Sequence, residues 1–335
     1  MPHTDLQTAD YATPVAMQVR YNIAADVGGT NTRFALLQTG SPNMLFEKKY
    51  HSADFDKFDV ALHSFIEDCP PDCGDIKNNL GGLSLAFAGI VTESTARLTN
   101  LPWVVEKRAL QERFHVDAVY FMNDFTASAM GLAALPAQDK VVLNKGVHRD
   151  DGTRVITGAG TGLGMAWGQG GKAGFSACSS EGGHVDFAPV NDIQIELLRY
   201  MLARHEHVSY ERLLSGDGLV TLYEFSSGRT AEDILADKVS QYAASGNDHA
   251  IQAMALFTQI YGAYVGNLAL MFKPDAGIYI TGGIGLKNRR WMESDCFMEA
   301  FRGKGRMSEL ANTIPIYLVT NEQVGLLGAA QQFYR

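Results

Sequence analysis

Apolar runs alternate with polar, glycine-bearing breaks along most of the chain. Short runs at 21–27, 33–37, 80–88, 116–122, 154–157, 163–167, 277–281 and 315–319 predict strands. Stretches at 56–68, 105–114, 125–134, 192–204, 209–214, 231–243, 248–272 and 323–333 predict helices. In 251–272 the apolar positions Ile251, Met254, Ala255, Leu256, Ile260, Tyr261, Tyr264 and Leu268 recur every three or four residues, interrupted by Gln252, Gln259 and Asn267. That pattern is expected of a buried helix in a soluble core rather than of a membrane span. The mixture predicts an α/β fold. Two strand pairs are joined by short Gly-rich breaks, which makes them hairpins and the sheets mixed. "RVITGAGTGLGMAW" (154–167) repeats the plan of "IAADVGGTNTRFALL" (23–37): strand, Gly-Thr turn, strand. An internal duplication follows as an expectation, giving two similar lobes around a deep cleft. "TGGIGLK" (281–287) is a third Gly turn, after the strand-like "GIYI".

The 335 residues are enough for one large or two medium domains, with no need of disulfides or a metal to fold. Hydrophobic residues make up 46% and charged residues 19%, as in soluble globular proteins. A net charge of −9 opposes a nucleic-acid partner, although it leaves local phosphate binding open. Cys69, Cys73, Cys178 and Cys296 form no CxxC pair and are expected as free thiols of a reducing cytosol. Residues 1–20 lack the basic start and apolar block of a signal peptide and predict a flexible polar extension. A cytoplasmic protein with no membrane partner is expected.

Glycine lets backbone N–H groups approach an anion. Neither well-known phosphate motif fits, however. The P-loop spacing fails at "GGKA" (170–173), and "GAGTGLG" (158–164) has Leu163 where GxGxxG needs its last Gly. What remains is a pair of hairpin turns, one per lobe; tight hairpins without a ligand are the plainer alternative. Asp124 follows a strand and opens a helix, a place where α/β folds put ligands, and also a place where Asp serves as an N-cap. Glu181 and His184, three apart across two glycines, can face one pocket, and both suit sugar hydroxyls. As metal ligands they lack a third partner. In "HVSYERLLSG", Ser209 reads as an N-cap and Gly216 as a stop, which puts Glu211 in a first helical turn. Its alternative role there is to complement the helix dipole. Thr99 and Asn100 are candidates for a cleft mouth, Trp103 for packing, and His205 and His207 for ordinary surface.

"ADVGGTNTRFALL", "NDFTAS", "GAGTGLG", "SSEGGHVDFAP", "HVSYERLLSGDGL" and "TGGIGLKN" occur in this order over roughly 20–335. Together they resemble the bacterial glucokinases, two-lobed members of the actin-like ATPase and hexokinase-type fold. The resemblance implies a small lobe of 21–134 plus 315–335 and a large lobe of 135–314. It implies ATP across the cleft, with Gly28, Gly29, Thr30 and Asn31 on its phosphates and Gly160, Thr161 and Gly162 opposite them. Gly282 and Gly283 would flank the nucleoside, and Asp26 would face Mg²⁺ through water. Asp124 would be the base that accepts the proton of the glucose 6-hydroxyl, with Asn100, Asn123, Glu181, His184 and Glu211 binding the sugar. A homodimer is also implied. Rival readings are a kinase for another hexose, such as mannose or glucosamine, a sugar-sensing regulator and an actin-like filament or chaperone. The regulator would want a basic DNA-reading segment that the first twenty residues do not supply. Ile90 stands where the family usually has Pro, and the zinc motif of a neighbouring sugar-kinase group is missing.

Overall fold

Hairpins seed both main sheets. A computed structural model describes residues 20–41, 43–171, 174–231 and 234–334. The expected extension at 1–20 therefore lies, but for Arg20, outside the described residues. β1 (Tyr21–Val27), almost wholly buried, pairs antiparallel with β2 (Asn31–Gln38), which pairs antiparallel with β3 (Met44–His51). β4 (Leu80–Phe87) returns parallel to β1. The chain then makes a small three-stranded sheet from β5 (Gly89–Val91), β6 (Thr95–Leu98) and β7 (Val104–Glu106). It rejoins the first sheet as β8 (Ala118–Asn123), parallel to β4, for an order of β3-β2-β1-β4-β8.

β9 (Lys140–Asn144), β10 (Thr153–Ala159), β11 (Leu163–Gly171), β12 (Gly174–Ser180), β13 (Ile278–Thr281) and β14 (Ile316–Val319) form the second sheet, in the order β12-β11-β10-β13-β14-β9. β10–β11–β12 run antiparallel, and β13 and β14 join β10 in parallel. Apart from β9, this repeats the first sheet strand for strand, as a duplication requires.

Each sheet has its own core. Phe34, Phe58, Phe65 and Phe87 fill the first. In the second, the 25-residue helix Asp248–Phe272 buries Phe257, Ile260, Tyr261 and Tyr264. That helix has the length and hydropathy of a membrane span, but most of its apolar stretch is buried within the protein. It begins where Asn247 Oδ1 caps Ala250 N at 3.0 Å and ends at Lys273 in the left-handed region.

Two short helices, Asp124–Gly131 and Val324–Gln331, share two hydrophobic clusters, one alanine-rich, that touch both sheets. β14 belongs to the second sheet, while the helix after it packs with the first, on Ala24, Ala35 and Ala86. On sheet topology the crossing back thus falls after 319, not at 315. The helices approach until a Cβ on Gly328 would overlap Ala127 O. Gly328→Ala is expected to destabilise the protein by about 1–3 kcal/mol, read as a lowered urea midpoint at unchanged m-value.

Other differences have local causes. No helix spans 209–214: Ser209 bridges to Asp186, and 210–214 form turns. Gly216 opens a helix, Gly216–Ser227, whose cap is Ser215, so it is not a stop. The helix expected at 231–243 runs over Ala236–Ala244, residues 232–233 lying outside the description.

Candidate active site

The parallel strands β1 and β8 end side by side across β4, bringing Asp26 and the Asn123-Asp124 pair to one end of the sheet. Asn123 is the N-cap: its Oδ1 accepts from Phe125 N at 3.0 Å and Thr126 N at 3.2 Å. The capping role open to Asp124 is therefore taken by its neighbour. Asp124 Oδ1 accepts from Phe125 N at 2.9 Å, and the carboxylate is half-buried. Burial first, and then the negative charge of Asp26, push its pKa up to about 7, with a smaller push from Glu181. Backbone N–H groups act the other way. Asp124 thus senses a carboxylate from each sheet, and the three acidic groups converge.

Asp26 lies opposite Arg33 in the β1–β2 register, and Arg33 pairs with Glu322 at 2.5 Å. Burial lifts the Asp26 pKa to about 6, and the Arg33 charge opposes that rise. Among the described residues its carboxylate accepts no hydrogen bond. Gly325, in the first turn of Val324–Gln331, lies against it: a Cβ there would stand 2.9 Å from Asp26 Oδ2.

Beyond Asp26 the chain makes its first tight turn. Gly28 N donates to Asn31 O at 2.9 Å, and Gly29, Thr30 and Asn31 complete the tip. A Cβ on Gly29 would stand 2.9 Å from Asn100 Cβ, so exposed Asn100 flanks this turn. Trp103 is buried instead, its Nε1 donating to Phe55 O at 3.1 Å, a packing role.

The second turn, Gly160–Thr161–Gly162, closes through Gly160 N to Gly162 O at 2.8 Å. Gly160 O receives Gly216 N at 2.9 Å, and Glu211 Oε2 accepts from Leu163 N at 2.9 Å. Glu211 is held in turn by its own N–H, which donates to Gly183 O at 2.9 Å. His184 sits on the short helical turn Gly182–His184. Its Nε2 lies 3.7 Å from Glu211 Oε1 and 3.9 Å from Glu181 Oε2. Glu181, His184 and Glu211, separated in sequence, therefore form one polar group, and Glu211 also touches the second turn.

Thr161, His184, Glu211, Ser215 and Asp217 line a cavity of about 700 Å³. His205 and His207 line it too, a placement the surface assignment had not included; His207 pairs with Asp186 at 2.8 Å. Gly282, with φ of 91°, leads from β13 into the helix Gly283–Lys287 and lies on Ala159, at the end of β10. The Gly282 and Gly283 pair thus adjoins the strand that leads into the second turn.

Among the described residues no group of three His, Cys, Asp or Glu side chains is arranged for a metal. Mg²⁺ asks for less, because it keeps waters and takes one or two carboxylates plus phosphate oxygens. A half-buried carboxylate without a hydrogen bond, as Asp26 is, fits that demand. Cys69, Cys73, Cys178 and Cys296 are all unpaired.

Known proteins resemble the chain over nearly its whole length. The glucokinase family model matches residues 23–335. A glucokinase of Nostoc sp. is 35% identical over 92% of this chain and 97% of its own length. The crystal structure of a glucokinase from an Antarctic psychrotroph is 30% identical, with a TM-score of 0.81, over 95% of this chain and 99% of that one. A ROK-family glucokinase of Streptomyces griseus, solved with glucose and AMPPNP, shares the fold at 18% identity, with a TM-score of 0.63 over 94% of this chain and 99% of that one. With the match spanning both sheets and every motif around the converging carboxylates, the chain belongs to the glucokinase family.

Proposed function

We propose that the protein transfers the γ-phosphoryl group of ATP to the 6-hydroxyl of glucose, with Asp124 as the general base. The observation that carries this reading is the Asp124 carboxylate. Its pKa is pushed up to about 7, among the described residues no other residue donates a hydrogen bond to its second oxygen, and it lies within charge range of Asp26 and Glu181. A base works best when its pKa lies near the operating pH. That second oxygen takes the hydroxyl proton as the sugar oxygen attacks phosphorus. Asn123 supports it: with Oδ1 spent on the cap, the amide Nδ2 is left to donate to a sugar hydroxyl. Glu181, His184 and Glu211 read the ring hydroxyls, and a sugar lacking one of them leaves polar groups unpaired. Asn100 stands at the mouth.

The turns at Gly28–Asn31 and Gly160–Gly162 offer backbone N–H groups to the triphosphate, with Gly282 and Gly283 beside the nucleoside. Asp26 is the residue for Mg²⁺, which when bound neutralises charge on the transferring phosphate. Cleft closure excludes water and limits wasteful ATP hydrolysis. The moving lobes are 21–134 with the C-terminal helix, and the second sheet with its helices. A homodimer in the cytoplasm is the expected setting, and light scattering on purified protein checks the dimer.

The acceptor is tested with a panel. Glucose, mannose, glucosamine and 6-deoxyglucose are offered with ATP and Mg²⁺, and ADP release is followed. Glucose is expected to give the highest kcat/KM, and 6-deoxyglucose none. A higher value for mannose or glucosamine would move the assignment to another hexose.

A further inference from the structure

We propose that Ser52, braced by Thr32, is the positioning residue that aims the first turn's N–H groups at the nucleotide phosphates. The inference rests on reading that turn as a phosphate clasp. Ser52 follows the edge strand β3 and is fully buried, as is Thr32. Its Oγ donates to Gly28 O at 2.7 Å, and its N–H donates to Thr30 O at 2.9 Å. Thr32 Oγ1 lies 2.9 Å from Ser52 Oγ. A serine hydroxyl has one hydrogen, and here Gly28 O takes it, so the Thr32 hydroxyl is the donor of that second bond.

The consequence is geometric. In a trans peptide the C=O of one residue and the N–H of the next point in opposite directions. Pinning Gly28 O to Ser52 therefore turns Gly29 N–H away from Ser52, and pinning Thr30 O does the same for Asn31 N–H. The N–H groups of Gly29 and Thr30 have no intramolecular partner among the described residues. Gly29 N–H is thereby an oriented donor awaiting an acceptor, with Thr30 N–H beside it, the arrangement that makes an anion nest. Without the Ser52 hydroxyl, the Gly28–Gly29 peptide loses the bond that fixes its plane, and glycine imposes little restraint of its own.

The test uses the full chain and reads nucleotide and sugar separately. Ser52→Ala is expected to raise the ATP KM about threefold to tenfold, the scale of one lost hydrogen bond, and to leave the glucose KM within twofold. The ADP Kd, measured by calorimetry without sugar, should weaken by the same factor. Ser52→Ala/Thr32→Val should be no worse for nucleotide than Ser52→Ala alone, because Thr32 acts through Ser52. A merely structural role would lower the melting temperature and shift both KM values alike, which overturns the proposal. An unchanged ATP KM and ADP Kd also overturn it. Gly29→Ala, in the same turn, separates the two levels. If it weakens ATP binding while Ser52→Ala does not, only the Ser52 assignment falls. If neither does, the clasp reading falls with it.

Discussion

Asp124→Asn is expected to lower kcat by about 10²–10⁴-fold while the glucose and ATP KM values stay within a few-fold. The variant keeps an oxygen for Phe125 N and removes only the capacity to accept a proton. The same carboxylate predicts the pH profile of the wild type. With a pKa of about 7, kcat/KM should rise tenfold per pH unit below that value and level off above it. Asp26 is the charged neighbour that raises this pKa most, so Asp26→Asn should move the bend to lower pH. Stability follows with the opposite sign. The folded protein holds the proton more tightly than the unfolded chain, whose carboxyl titrates near the ordinary 3.8. The cost of keeping Asp124 is absent below about pH 4, grows as pH rises and is complete above about 7. Asp124→Asn should therefore melt higher than wild type at pH 8, and the gap should close toward pH 4. A variant that turned over normally at pH 8 would remove Asp124 from the role of base.

Glu211→Ala should damage sugar and nucleotide binding together. One carboxylate oxygen accepts Leu163 N beside the second turn and the other faces His184. Truncation removes a charged acceptor for sugar hydroxyls and leaves a backbone N–H without its partner, each worth about 1–3 kcal/mol. The combined loss in kcat/KM for glucose is on the order of 10²-fold or more. The ATP KM should rise as well, because the turn at Gly160–Gly162 loses its lateral support. His184→Ala, which removes a sugar contact and leaves Leu163 N satisfied, should raise the glucose KM and leave ATP nearly untouched. Equal effects of the two variants on ATP would show that Glu211 is a sugar ligand and nothing more.

Legibility in the sequence followed the clarity of period. β1–β2, β10–β11 and the helix Asp248–Phe272 carry clear apolar periods, and the sequence predicts them within a few residues. It does not predict β3, an edge strand that is largely exposed, where Glu47-Lys48-Lys49 break the alternation. β12 is built of Gly, Ser, Ala and Cys around a single large apolar residue, Phe175, and has little hydrophobic signal. The helix Gly216–Ser227 begins at Gly216 with Gly218 close behind, and glycines at a helix start read locally as a stop. That β14 pairs with the second sheet depends on a parallel neighbour far away in sequence, which local pattern cannot name.

The candidate site divides in the same way. Asp26, Asn123, Asp124, Glu181 and His184 stand out because each lies in a quotable motif at the end of a predicted strand or beside glycines, and Glu211 because it lies in the motif "HVSYERLLSG", at the start of an expected helix. Their division of labour does not. That Asn123 takes the cap, that Glu211 holds Leu163 N, and that His205 and His207 enter the same cavity are all facts of three-dimensional contact. Ser52 lies in "HSADF", where nothing in the local sequence points to Gly28, 24 residues earlier.

The central claim is phosphoryl transfer to the 6-oxygen of glucose through Asp124. Its most direct measurement is the proton-coupled phosphorus NMR spectrum of the product made from glucose, ATP and Mg²⁺ by wild type and by Asp124→Asn. Carbon 6 is the hydroxyl-bearing carbon of glucose with two hydrogens, so a phosphate there gives a triplet. A triplet growing with wild type, and at most about one hundredth as fast with the variant, is the expected result. A doublet, inorganic phosphate without a sugar ester, or an equal rate from the variant would contradict it.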